Sequence, residues 1–451
     1  MLTVATLCLN ELFSDYKEID LPPPNRLNLD SAIVLLRLEG NISLSGISEI
    51  LRMQGYPHDS TGLISQRLKD FGSRLPNTLN LGKPITLFYL SDELYAAGLP
   101  ILVTIDPVST AILKIELATN CQAKTWKSHF QALEKNGIFA KGLASDRGVG
   151  IVQGYQAIHQ DIVWCSDHFH EFRGLMQLLK TLENAAYDAI AKEDKCLQVF
   201  NNARSESNLE KRAQQFEVAK VDCEQKINQY QHVQTLLDML FPALYFFDLK
   251  TGEHRQKAQV REEILLLMAL LDELKLAKLQ VLTKAIRKHI DDICICYQQV
   301  EDIYQQLSKK ISPENLKFIG LAWQHDHQSH QRKGKLKQHH QDERDFRLDV
   351  VGPLLGDKAQ ELIAEAFEEL NGMVRTSSLI EMVNSQIRPF LNECKGQISQ
   401  EHLNLIMFYH NHRRYKSGKR KSKAPIELLT KTKLEKNWLE LLFETISQTQ
   451  S

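Results

Sequence analysis

The chain has 451 residues, of which 43% are hydrophobic and 25% charged, and its formal net charge is −1. This length predicts about two to four domains, and the composition is ordinary for a soluble globular protein. A net charge near zero excludes a uniformly basic protein, so any nucleic-acid binding has to come from local patches. The apolar run 264–271 is too short to span a bilayer, and the scattered cysteines predict reduced thiols in a cytoplasmic protein.

The first region with a clear pattern is helical and covers residues 29–38, 43–53 and 60–71. Gly55 is suited to end the second helix, and Asp59 or Ser60 to begin the third. Two short helices with a glycine-containing turn are typical of a helix-turn-helix, whose second helix enters the major groove. A plain three-helix packing unit is the alternative. We predict a DNA-binding domain over residues 1–80, with DNA contacts from Thr61, Ser65, Gln66 and Lys69.

Residues 84–170 have the pattern of an α/β unit. Three strand-like runs, 85–94, 100–105 and 111–117, are joined by short connections that predict an antiparallel meander. A helix over 124–136, a strand over 138–144, a helix over 149–158 and a strand over 161–165 follow. The predicted order is therefore β-β-β-α-β-α-β.

Acidic residues lie in or beside these strands. Asp92 lies in the first run and Asp106 directly follows the second, where it can alternatively begin an Asp-Pro turn. Asp146 lies at the carboxyl end of the fourth strand, before a glycine and a helix, where open α/β sheets place their sites. An N-cap role is the structural alternative for Asp146.

Residues 171–370 predict an all-α insertion, because apolar residues recur at three- and four-residue steps over 172–199, 206–240 and 259–307. Residues 324–344 are rich in His, Gln and Lys and predict a flexible basic loop, with metal binding as the alternative. Just before the insertion, Cys165 and His168 have the spacing of half a zinc site, but no second pair follows at suitable spacing.

A helix near residue 380 has one apolar and one polar face. Ser377 or Ser378 is a suitable N-cap, and Ser378 and Glu381 have the spacing of a capping box. At 100° per residue one arc is apolar; it contains Leu379, Ile380, Val383, Ile387 and Phe390. The neighbouring arc is polar and contains Glu381, Asn384 and Arg388.

A basic run follows this helix. It has seven Lys or Arg and no acid between Arg413 and Lys423, and Gly418 permits a turn within it. Tyr409 and Tyr415 interleave with the run, so we predict a phosphate-binding segment rather than a solvated tail. The predicted DNA-contacting cations are Arg388, Arg413, Arg414, Lys419, Arg420 and Lys421.

Together, these two segments resemble the C-terminal signature of bacterial insertion-sequence transposases of the DDE type. The matching residues are Ser377-Ser378-x-x-Glu381-x-x-Asn384-Ser385-x-x-Arg388, Asn411-x-Arg413, Ser417-Gly418-Lys419-Arg420 and Pro425. The resemblance implies an α/β RNase H-like catalytic core interrupted by the all-α insertion. It also implies Glu381 as the third acidic residue, with Asp92 on the first strand as the first and Asp146 as the second. Asp106 is kept in reserve for Asp92.

The family's Asp-x-Phe-His segment is matched by Asp167-His168-Phe169-His170, which implies supporting roles for His170 and Asn384. The implied activity is metal-dependent DNA strand cleavage and strand transfer by two Mg²⁺ or Mn²⁺ ions bound to Asp92, Asp146 and Glu381. The implied partners are double-stranded DNA, at transposon ends and target, and further copies of the chain in a homodimer or higher oligomer. No membrane partner is expected, and the protein is expected to be cytoplasmic and nucleoid-associated when bound to DNA.

The predicted domains are the helix-turn-helix over 1–80, the core over 84–170 and 371–430, the insertion over 171–370 and a C-terminal tail over 431–451. Three alternatives remain open. One is an RNase H-like metal-dependent nuclease that does not transpose, and another is a non-catalytic transposase-derived DNA-binding protein. A structural coiled-coil protein is the third, but it leaves the strand order and the Glu381 helix unexplained.

Overall fold

A computed structural model describes residues 27–57, 60–159, 163–204, 206–374, 378–393 and 398–448. It shows a mixed α/β fold with a five-stranded mixed sheet and a large helical part. Three predicted features lie outside the described residues: Asp59 and Ser377 as helix caps, and Asp161 as the start of the fifth strand. Within the described residues, no helix is long and apolar enough to cross a membrane.

Three helices form the N-terminal unit: α1 (Leu29–Leu38), α2 (Leu44–Met53) and α3 (Thr61–Ser73). The connection between α2 and α3 has the predicted turn chemistry. Gly55 has a φ of 67°, a left-handed conformation that costs glycine little, and it follows the end of α2. The Ser60 hydroxyl accepts a hydrogen bond from the Leu63 N–H at 3.3 Å, so Ser60 is the N-cap of α3.

The sheet contains β1 (Ile85–Ala96), β2 (Leu99–Ile105), β3 (Ile112–Leu117), β4 (Ile138–Ser145) and β5 (Trp164–Ser166), in the order β3-β2-β1-β4-β5. The first three strands form the predicted antiparallel meander. Strands β1, β4 and β5 are parallel neighbours. Helices α4 (Ala123–Lys135) and α5 (Val149–Gln156) connect β3 to β4 and β4 to β5. The predicted order of elements is therefore confirmed.

Both faces of the sheet are buried. Successive strand residues point to opposite faces, and each face contributes to a different core. Tyr89 and Leu102 belong to a core shared with Trp126 and Phe130 of α4. Residues of the other face belong to a larger core, which includes the N-terminal unit and much of the helical part. The sheet thus separates two cores and presents only its strand ends to a site.

Between β5 and residue 374 the described chain is helical. A long antiparallel hairpin comes first, formed by α6 (His168–Asn201) and α7 (Glu206–Ala243). Its neighbours are α8 (Lys257–Glu273), α9 (Ala277–Lys288), α10 (Ile290–Cys294) and α11 (Cys296–Leu307). A second hairpin, α12 (Pro313–Gln331) and α13 (Gly334–Leu355), precedes α14 (Ala359–Asn371). In the described part of 175–365 there is no strand, only an isolated bridge from Phe247 to His254, so the predicted all-α insertion is confirmed.

The prediction of a flexible loop over residues 324–344 is wrong, because these residues form the end of α12 and the start of α13. Gln324 and Gln328 of α12 are buried. The Gln324 side-chain oxygen accepts a hydrogen bond from the Phe246 N–H at 3.2 Å, and that of Gln328 from the Tyr245 hydroxyl at 3.1 Å. Partners distant in sequence therefore satisfy the side-chain oxygens of both glutamines, which composition alone predicts to be solvated.

The C-terminal part contains α15 (Ser378–Glu393), α16 (Gln400–His412), α17 (Pro425–Thr430) and α18 (Trp438–Gln448). Helix α16 lies along β3, the edge strand. The Asn411 side-chain amide bonds both the N–H and the C=O of Ile112, at 2.8 and 2.9 Å. The Gln400 amide oxygen likewise accepts from the Leu117 N–H at 2.8 Å. These side chains satisfy backbone groups that an edge strand would otherwise leave unpaired.

Helix α16 also joins the two ends of the chain. The Asn404 amide donates to the carbonyls of Gly72 and Leu75 at 3.0 and 2.9 Å, which ties α3 to α16. Leu442 and Ile446 of α18 are buried in the larger core, so the stretch expected to be a tail contains a docked helix. The N-terminal unit is thus packed against the C-terminal segment rather than separate from it.

Candidate active site

Three acidic side chains come from three elements near the centre of the sheet. Asp92 lies in β1 opposite Val103 of β2, and Asp146 directly follows β4, the parallel neighbour of β1. Glu381 lies in the first turn of α15, which packs against β1. The apolar arc predicted for α15 faces inward: Ile380, Val383 and Ile387 are buried, whereas the Glu381 side chain is 46% exposed.

The pKa of Asp92 is raised to about 6 by its surroundings. Burial is the largest cause, and the negative charges of Asp146 and Glu381 raise it further. The positive charge of His170 acts in the opposite direction. Because such interactions act over short distances, the three carboxylates and His170 form one electrostatic site.

Asp167 and His170 form a hydrogen-bonded pair that faces Glu381. Asp167 is fully buried, and its carboxylate is 2.8 Å from Nδ1 of His170. Nε2 of His170 lies 3.9 Å from Oε1 of Glu381. The hydrogen bond to Asp167 raises the pKa of His170, more than burial lowers it. Asp167 thus holds the His170 ring with Nε2 toward the half-exposed carboxylate of Glu381.

Asn384, one turn after Glu381, connects α15 to Asp92. Its Nδ2 donates a hydrogen bond to Oδ2 of Asp92 at 2.7 Å, and the residue is 1% exposed. In the described part of the chain, its Oδ1 is buried without a hydrogen-bond partner. A buried amide oxygen is costly unless a water or cation satisfies it.

The donor chemistry fits a hard divalent cation. Carboxylate and amide oxygens are the ligands preferred by Mg²⁺, and the mutual repulsion of Asp92, Asp146 and Glu381 would be relieved by a cation. In the present arrangement of the described residues, no group of three His, Cys, Asp or Glu side chains is close enough to hold an ion.

The reserve residue Asp106 has a structural environment. It is 3% exposed, and its Oδ2 accepts hydrogen bonds from the Ser109 N–H at 2.7 Å and the Ser109 hydroxyl at 2.5 Å. This is the turn role that the Asp-Pro sequence indicates. Glu93, the neighbour of Asp92, lies on the α4 side of the sheet, where its carboxylate accepts a hydrogen bond from the Trp126 indole at 2.9 Å. Among these residues, Asp92 is the one directed toward α15.

His168 of the half zinc site lies near two cysteines of the helical part, a proximity that the sequence spacing did not predict. Sγ of Cys296, in the Cys294-Ile295-Cys296 segment, is 3.5 Å from Nε2 of His168. The same nitrogen is 2.7 Å from the Ile293 carbonyl. These contacts connect β5 and α6 to the insertion, and the residues described there do not form a group of three metal ligands.

The predicted recognition residues lie near the start of α3. Thr61, Gln66 and Lys69 are exposed, and Ser65 is half-buried. The Gln66 amide donates to the Asp70 carboxylate at 2.9 Å, along the helix. The opposite face of α3, through Ile64 and Leu68, is fully buried. An exposed polar face therefore remains at the beginning of this helix.

The basic run divides into bracing arginines and exposed lysines. Arg413 makes two hydrogen bonds to Glu39, at 2.7 and 2.9 Å, and Arg414 bonds Glu427 at 2.6 Å. The Arg420 guanidinium donates to the Val108 carbonyl at 3.0 Å. In contrast, five cations are exposed: Lys416, Lys419, Lys421, Lys423 and, on α15, Arg388. The sequence does not distinguish these two groups, because the carboxylates that pair with the arginines lie outside the run.

A cavity of about 560 Å³ beside the basic run was not predicted from the sequence. Lys419 and Lys423 line it together with Trp323 and His327 of α12. Ser378 and Leu379, which precede Glu381 in α15, also line it. The insertion therefore contributes one wall of a cationic cleft that adjoins the helix of Glu381.

No protein-family model matches the chain, and a search of curated proteins gives no match either. The geometry of the acidic site and of the cationic cleft is thus the basis for a functional assignment.

Proposed function

We propose that the protein is a DDE-type transposase of an insertion sequence, acting on double-stranded DNA. The observation that carries the proposal is that Asp146 and Glu381 both raise the pKa of Asp92, while His170 lies 3.9 Å from Glu381. A long helical insertion separates Glu381 from the other two residues in sequence. Carboxylates that repel each other destabilise the folded chain, so their interaction near the centre of the sheet indicates a functional role.

The order of elements supports an RNase H-like core. The β-β-β-α-β-α-β order implied by the family resemblance agrees with the five strands, α4 and α5. The insertion leaves the core after β5, and the chain returns with α15 against β1. Such an arrangement brings the first, second and third acids of the proposed triad to β1, β4 and α15.

The proposed cofactors are two Mg²⁺ or Mn²⁺ ions held by Asp92, Asp146 and Glu381. When bound, such ions activate an attacking oxygen and stabilise the leaving oxygen of a phosphodiester. The protein's own residues organise this site. Asn384 fixes the carboxylate of Asp92, and Asp167 fixes the ring of His170 beside Glu381.

The proposed DNA contacts are distributed over two surfaces. The exposed start of α3, with Thr61, Gln66 and Lys69, is suited to the major groove. The cleft that contains Lys419 and Lys423 is suited to phosphate groups near the acidic site. Because the whole chain is nearly neutral, these local cations have to supply the attraction for DNA.

Incubation with DNA that carries the sequences flanking the gene tests the proposal. We expect Mg²⁺-dependent cleavage at the ends and joining of the freed 3′-hydroxyl to target DNA. Asp92→Asn should abolish both products, whereas Asp188→Asn, which changes an exposed carboxylate on α6, should retain them. Cleavage without joining would instead identify a nuclease, and binding without either product a non-catalytic DNA-binding protein.

A further inference from the structure

A row of exposed apolar side chains follows one flank of α6. Phe169, Met176, Tyr187, Ile190 and Leu197 are 50%, 46%, 65%, 44% and 37% exposed. At 100° per residue they fall within an arc of about 80°. We call this arc the α6 stripe. Single exposed apolar residues are common, but a continuous row along one helix marks an interaction surface.

The spacing of the α6 stripe is that of a coiled-coil seam. Phe169, Met176, Glu183, Ile190 and Leu197 follow each other at seven-residue steps, and Tyr187 lies beside them. Such a series drifts by about 20° per step on a straight helix, which left-handed supercoiling with another helix compensates. The covering element is therefore expected to be a helix.

The N-terminal end of the stripe borders an apolar groove. The groove has a volume of about 780 Å³ and is lined by Phe169 and Met176 of α6 and by Phe241 and Tyr245 at the end of α7. Arg332, after α12, lines it as well. The groove thus offers a place for large apolar side chains at the end of the stripe near His170.

Charged residues on the arc and along its margin divide into two halves. Arg173 and Lys180 lie in the first half, whereas Glu183 and Asp194 lie in the second half. A stripe with a basic and an acidic half is complementary to itself when two copies run antiparallel.

We propose that the α6 stripe binds the α6 stripe of a second copy of this chain, antiparallel and around a two-fold axis at Glu183. Phe169 and Leu197 are equally far from Glu183 in sequence, as are Met176 and Ile190. The axis therefore sets Phe169 against Leu197 of the second copy, and Met176 against its Ile190. This is the self-complementary pairing that a two-fold interface requires.

On the axis the two Glu183 side chains face each other, and opposite charges flank them. Lys180 comes next to Glu183 of the second copy, and Arg173 comes next to its Asp194. Each contact occurs twice because of the symmetry. A partner of unrelated sequence would not require apolar positions and charges to be arranged symmetrically about one residue, so the pattern favours a second copy.

The pairing also has a consequence for the acidic site. Phe169 and Leu197 are 28 residues apart, which corresponds to about 42 Å of helix. Leu197 of the second copy therefore reaches the groove at Phe169, next to His170. Each copy would complete one wall of the region beside the other copy's acidic site. The inference itself depends only on α6 and not on the proposed reaction.

The test is a charge exchange in the full chain, with association measured by sedimentation equilibrium. We expect the wild type to dimerise. Lys180→Glu and Glu183→Lys should each weaken the dimer at least about tenfold, or ~1.4 kcal/mol, because like charges then meet twice. An equimolar mixture of the two variants should form a mixed dimer, since every facing pair is again opposite in charge.

Asp188→Lys is the matched control, because Asp188 is exposed on α6 but lies outside the stripe. It should associate as the wild type does. Melting curves check that each variant is folded, and the mixed dimer requires folded partners. A wild type that remains monomeric at all concentrations overturns the proposal. Unchanged dimerisation of either single variant, or a mixture no more dimeric than its components, also overturns it.

Discussion

Replacing Glu39 by Gln tests how the basic run is held before DNA binds. Glu39 directly follows α1, and its carboxylate accepts two hydrogen bonds from Arg413, at 2.7 and 2.9 Å, and one from the Tyr409 hydroxyl at 2.7 Å. Lys416 contacts the same carboxylate. The carboxylate of Glu39 thus occupies two cations of the run, as a phosphate group would.

The magnitude follows from the pKa of Glu39, which falls from 4.5 to about 2, chiefly because of the hydrogen bond from Arg413. A shift of this size corresponds to ~3 kcal/mol of stability. The Glu39 side chain is 26% exposed and its partner Lys416 is 75% exposed, so solvent screening reduces the contribution to ~1–2 kcal/mol. We expect Glu39→Gln to lower the free energy of unfolding at pH 7 by this amount.

The dependence on pH has a defined sign. Because the folded pKa is depressed, the contribution is complete above pH 4.5 and is lost as the pH falls toward about 2. The difference in unfolding free energy between wild type and Glu39→Gln should therefore narrow in acid. Urea unfolding at a series of pH values measures it.

DNA binding should change in the opposite direction. Glu39→Gln releases Arg413 and Lys416, so the slope of log K against log salt should steepen by about 0.9 for each cation that gains a phosphate. Glu49→Gln is the control, because Glu49 is exposed and pairs with Arg52 on its own helix. A variant with lower stability but unchanged DNA affinity and slope would show that Glu39 only braces the fold.

Three further predictions concern separate parts of the molecule. Burial and like charge raise the pKa of Asp92 to about 6, so its stabilising contribution is lost as the pH rises through 6. Asp92→Asn should consequently melt higher than the wild type at pH 8 in EDTA, and equal melting temperatures would contradict the electrostatic description. Alanine at the three exposed lysines that do not contact Glu39 should flatten the salt dependence of DNA binding by roughly 0.9 per lysine, without changing the melting temperature; these are Lys419, Lys421 and Lys423. Gly72→Ala should destabilise by ~1–3 kcal/mol, because its Cβ would lie 2.0 Å from the Glu401 carbonyl oxygen, whereas Gly62→Ala on the same helix meets no atom and should not destabilise.

The sheet and the helix of Glu381 could be predicted because their signals are local. Runs of β-branched residues and their turns gave the order of strands, and β1 and β2 differ from the predicted runs by one or two residues at their ends. The inward arc of α15 follows from helical periodicity alone, as the burial of Ile380, Val383 and Ile387 confirms.

The contacts made across the chain could not be predicted, because they depend on residues far apart in sequence. Arg413 has the same local sequence context whether it contacts DNA or Glu39, and the distinction comes from the packing of α1 near α16. The sequence likewise predicts a flexible basic loop at Gln324, because the Phe246 N–H that bonds its buried amide is far away in sequence. The cleft wall formed by Trp323 and His327 likewise results from the path of the insertion.

The central claim is that Asp92, Asp146 and Glu381 bind metal ions together. Titration of Mn²⁺ into the protein, with free Mn²⁺ followed by electron paramagnetic resonance in the presence of DNA carrying the flanking sequences, tests it most directly. Asp92→Asn, Asp146→Asn and Glu381→Gln should each weaken Mn²⁺ binding by at least about tenfold, because each removes a charged ligand. Asp188→Asn should bind as the wild type does. Wild-type Mn²⁺ binding in any one of the three site variants would contradict the claim.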